Sequence, residues 1–113
     1  MNTLAPAVFY LSALFSGMSD TGPLRSDTEL CITYHQVQFG KLSSQDAGQA
    51  DRHSLLVQKW SDHAMANLAM SAEETADIIT NALFITMSEP KWDDGKFLSG
   101  TGKKCAALEA SLQ

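Results

Sequence analysis

The residues with the widest chemical range in this chain are two cysteines, three histidines and short clusters of carboxylates and glycines. Cys31 and Cys105 are far apart and no CxxC occurs, so a thioredoxin-like redox centre has no basis. An even cysteine count in a small exported domain predicts a single disulfide instead. Such a bond would close a long loop, to which the chain-entropy model assigns about 4–5 kcal/mol. The alternative is a pair of free, buried thiols in a reducing compartment.

His53 and His63 share one helical segment but are too far apart to share a turn. His63, Met65 and Met70 are residue types that bind copper in exported proteins. Met65, however, points well around a helix from His63, and methionine more commonly fills gaps in cores. His35 falls at the boundary of an apolar face and is expected on the polar side. Glu73, Glu74 and Asp77 could pair as acid and base, yet they open a helix, where negative charge suits the positive end of the dipole. Gly100-Thr101-Gly102-Lys103 is similar to the end of a phosphate loop. The full pattern would need Gly at Phe97 and Ser or Thr at Lys104, so a flexible entry to a last helix is expected instead. No GxSxG, HExxH, CxxCH or EF-hand pattern appears. These residues therefore point away from an enzyme and imply no metal and no cofactor.

Charge narrows the field further. The 113 residues carry 8 Lys+Arg against 13 Asp+Glu, a net charge of −5, which argues against nucleic acid as a partner. None of these charges precedes Asp20. An apolar run from Leu4 to Phe15, followed by Ser16, Gly17 and Ser19, reads as a secretory signal over residues 1–19, although no Lys or Arg precedes the run. An uncleaved anchor and a buried first helix are the competing readings. The run is too short for an ordinary membrane span and contains Pro6. Residues 20–25 then read as a linker and 26–113 as one helical domain, periplasmic or secreted, with no membrane association once the signal is removed.

Four helices are predicted to position these groups. The first starts at a capping box, Ser26 to Glu29, and stops at Gly40. Residues 30–39 also alternate like a strand, with Ile32, Thr33 and Val37 β-branched, but the cap favours helix. A second helix runs from about Ala47 to Met70 behind caps at Ser43 to Asp46. Its stripe is Leu56, Val57, Trp60, Ala64 and Leu68, with Ser61 turned away. A third starts at the Ser71–Glu74 capping box and ends before Pro90. It is apolar around most of its surface and is expected at the centre of the bundle. Residues 90–102 read as a loop carrying Trp92 and Phe97 as a lid, and a fourth helix follows from about Gly102 to Leu112.

The fold expected is therefore all-α: a small four-helix bundle clasped by Cys31–Cys105. Its expected role is macromolecular binding, as a stress or chaperone-like protein or as an inhibitor or immunity protein, with another protein as the partner. The alternative is a periplasmic small-ligand or metal carrier with its contact near Trp60, Trp92 and Phe97; a small hydrolase is more remote. In size, compartment, helical content and one clasping disulfide the chain resembles small periplasmic acid-stress chaperones. No motif aligns with that family, and no residue role is carried over from it.

Overall fold

Three side chains punctuate the chain as their chemistry requires. Asp46, Ser71 and Asp94 each accept a backbone N–H from the turn they precede, at Gln49, Glu74 and Lys96 respectively. The computed structural model describes residues 23–112. It is all-α: α1 spans Arg25–Leu42, α2 Ala47–Asn67, α3 Ala72–Ser88 and α4 Gly95–Glu109, with a 3₁₀ turn at Pro90–Asp93 between the last two. The proposed signal, residues 1–19, lies outside the described residues. Within residues 23–112, no helix is long and apolar enough to cross a membrane.

The centre of the bundle is α1, which touches each of the other helices. Cys31, Ile32, Thr33, Tyr34 and His35 are all buried in succession. At about 100° per residue, five in a row cover more than a full turn, so α1 is enclosed on every side over Cys31–His35. This corrects the expectation that α3 is central: only Thr75 and Ala82 are buried there. The first helix also begins earlier than its sequence suggests, behind Leu24, whose N–H donates to Asp27. It continues through Gly40 to Leu42. Ser26 is exposed, and no glycine conformation is needed at residue 40.

Polar ties set the directions of the helices. Arg25, at the start of α1, pairs with Glu74 in the first turn of α3 at 2.9 Å. Lys41, near the end of α1, donates to the carbonyl of Trp92 beyond α3 at 2.8 Å. These helices therefore run in the same direction. His63, near the end of α2, reaches back to the Pro23 carbonyl, so α2 runs opposite to α1. Ser61 is buried, contrary to expectation, because its hydroxyl donates to the Val57 carbonyl and leaves nothing unsatisfied. The stop of α2 uses Ala69 at a φ of 55°, a left-handed conformation unusual for a residue with a Cβ. The turn carries Met70 into the interior, where it is buried.

The fourth helix begins at Gly95, not near Gly102, so most of the expected loop is helical. Gly100 to Lys103 lie inside it, and Thr101 is buried. α4 passes so close to α1 that a Cβ at Gly102 would come within 2.5 Å of the Tyr34 hydroxyl. Three contacts fasten this crossing. Lys104 pairs with Asp27 at 3.3 Å. Cys31 and Cys105 form the expected disulfide, with Cα atoms 5.7 Å apart. One turn further on both helices, His35 meets Glu109 at 2.5 Å.

Candidate functional site

Two features of the surface and interior have the makings of a site. The first is an array of polar side chains where α1, α2 and α4 meet. Position 35 falls on α1's enclosed stretch, so His35 is buried and not on the polar face, with only 4% of its side chain exposed. Glu109 in the last turn of α4 is nearly as enclosed. One of its carboxylate oxygens accepts two bonds, from His35 Nε2 at 2.5 Å and from Trp60 Nε1 at 2.7 Å. The other nitrogen of His35, Nδ1, lies 2.8 Å from Nδ1 of His53 on α2. Tyr34 packs edge-on against both imidazoles.

Protonation is set by these contacts. With Nε2–H donated to Glu109, a neutral His35 has a bare Nδ1 that accepts a hydrogen bond from His53 Nδ1–H. Burial pushes both imidazoles below the ordinary histidine range. Glu109 opposes this for His35. For His53 the nearby His35 adds to the lowering, Glu109 opposes it, and Arg52 lowers it further. The arrangement can orient and exchange a proton. Among the described residues, no group of three or more His, Cys, Asp or Glu is placed to hold a metal ion.

The second feature is on α3. Its Leu83, Phe84 and Met87 are 65%, 61% and 76% exposed. Leu83 borders an open cleft between α1 and α3 that is also lined by Val37, Gly40, Ile79, Ala82 and Thr86, with Gln36 and Lys41 on the α1 side. Gly40 lines it with backbone alone, and a Cβ there would meet nothing within 4 Å. From Ile78 to Ser88 the helix carries no charge, and Asp77 and Glu89 bracket it.

The aromatic residues singled out from the sequence occupy different places. Trp60 is fully buried on α2, edge-on to His63 and bonded to Glu109. Trp92 is buried at the corner between α3 and α4, with Phe97 edge-on at 5.1 Å. None of the three lines the α1–α3 cleft. Sequence reasoning missed Glu109 altogether, because its partners lie 74 and 49 residues away in the chain. Leu83, Phe84 and Met87 belong to a helix whose sequence is apolar around most of its surface, a pattern that does not mark which side faces outward. No protein-family model, curated protein or solved structure matches the chain.

Proposed function

We propose that this is an exported protein that works by binding another polypeptide on the exposed face of α3. The observation that carries the reading is the exposure of Leu83, Phe84 and Met87 on one helix, with Leu83 at the edge of the α1–α3 cleft. Large apolar side chains grouped on one surface mark interaction sites more than solvated ones do. The partner is an apolar segment flanked by Lys or Arg. Its apolar side chains would enter the cleft as a helix enters a groove, and its charges would meet Asp77 and Glu89 in a chain of net charge −5. Export is supported by the charge-free start of the chain and by a disulfide, which persists in oxidising compartments.

The test is fluorescence anisotropy with a labelled, Lys-flanked amphipathic peptide bearing Leu and Phe on one face. Phe84→Asp places a charge in the face, and Gly40→Leu fills the cleft while improving helix propensity by roughly 1 kcal/mol. Both variants are expected to bind at least tenfold more weakly than the unmodified protein, with melting temperatures held or raised in Gly40→Leu. Equal binding by all three proteins, or none by any, would overturn the reading.

A further inference from the structure

The buried array has a property that does not depend on what α3 binds. Between Nδ1 of His35 and Nδ1 of His53, 2.8 Å apart, there is room for one proton. One added proton can be absorbed. His35 then donates from both nitrogens, to Glu109 and to His53, and His53 moves its own proton to Nε2. A second added proton cannot be absorbed, because it would set two N–H donors head to head and two positive charges side by side. The groups involved come from three helices: His35 from α1, His53 from α2 and Glu109 from α4.

We propose that Glu109, His35 and His53 form an acid-released latch: while the imidazoles share one proton they hold α1, α2 and α4 together, and double protonation drives α2 from α1. The charged and titratable neighbours are few. Glu109 attracts protons to both rings, Arg52 repels them from His53, and the Tyr34 ring stands T-shaped to each imidazole.

Both histidines bind protons less readily in the fold than in the unfolded chain, where they titrate near 6.5. Below that value the unfolded chain takes up protons that the fold refuses, so stability is present above about pH 6.5 and is lost as pH falls. Between pH 7.5 and 5.5 one wholly refused proton lowers the folding equilibrium constant by about tenfold, and the weakened uptake of the first proton adds to that.

Urea unfolding at pH 7.5, 6.5 and 5.5 tests this. The wild-type constant is expected to drop by more than tenfold across the range. In His53→Asn, an amide N–H replaces the imidazole N–H but cannot take up a further proton, so the drop should be smaller by up to about tenfold. Equal slopes in wild type and His53→Asn would overturn the latch. Should His53→Asn fail to fold, the imidazole Cε1–H resonances of the wild type decide. Midpoints for His35 and His53 below 6.5, with loss of tertiary signals as the second proton binds, support the latch. Midpoints at or above 6.5 in a protein that stays folded refute it.

Discussion

Replacing Cys31 and Cys105 together by alanine tests how much of this fold depends on one covalent bond. Alanine is preferable to serine because both sites are fully buried, and a serine hydroxyl would add a desolvation penalty of its own. The bond joins residues 74 apart, which restricts most of the described chain in its unfolded state. The chain-entropy relation for a loop of that length gives about 4.5 kcal/mol at 25 °C. A domain of this size has a total stability of about 5–15 kcal/mol, so the bond is a large fraction of it. At about 4–8 °C per kcal/mol, the melting temperature should fall by roughly 18–36 °C. Thermal melts by circular dichroism, with and without dithiothreitol, are the assay. Reductant should shift the wild type by nearly the same amount and leave the double alanine variant unmoved. A fall of less than about 5 °C, or an equal effect of reductant on both proteins, would refute the loop-entropy argument.

Two further substitutions probe the helix crossing and a cap. Gly102→Ala places a methyl within reach of the Tyr34 hydroxyl and should destabilise by about 1–3 kcal/mol through overpacking. In a Tyr34→Phe background most of that penalty should vanish; a double-mutant cycle by urea unfolding with coupling below about 0.5 kcal/mol would count against the close approach. Ser71→Ala removes the acceptor for the Glu74 N–H and should cost about 1 kcal/mol, whereas Ser71→Asp should stay near wild type in the same assay.

What the sequence discloses here depends on how far apart the interacting residues are. The caps at Asp46 and Ser71 are legible because donor and acceptor lie three residues apart. The disulfide is legible because only two cysteines exist. The enclosure of α1 is not, since a helix buried on all sides has no polar stripe, and its β-branched residues then imitate a strand. The start of α4 is hidden for a different reason: Asp94-Gly95 has the composition of a turn, yet Asp94 caps a helix. Gly102 looks like a breaker and is instead the space that Tyr34 needs. For α3, counting apolar residues identifies an apolar helix without saying which side of it finds a neighbour. The array at Glu109 joins three helices, and nothing local announces it.

The disulfide sits one turn from the His35–Glu109 contact on both helices, and this placement governs how the array closes again after an acid opening. If α2 leaves while Cys31 and Cys105 stay bonded, Glu109 cannot diffuse away from His35. Its effective concentration at that imidazole is set by a covalent link one turn away, not by the long chain between them. Re-forming the pair after neutralisation is then a local search, with no loop left to close. Recovery on neutralisation should therefore be faster with the bond intact than after it is reduced.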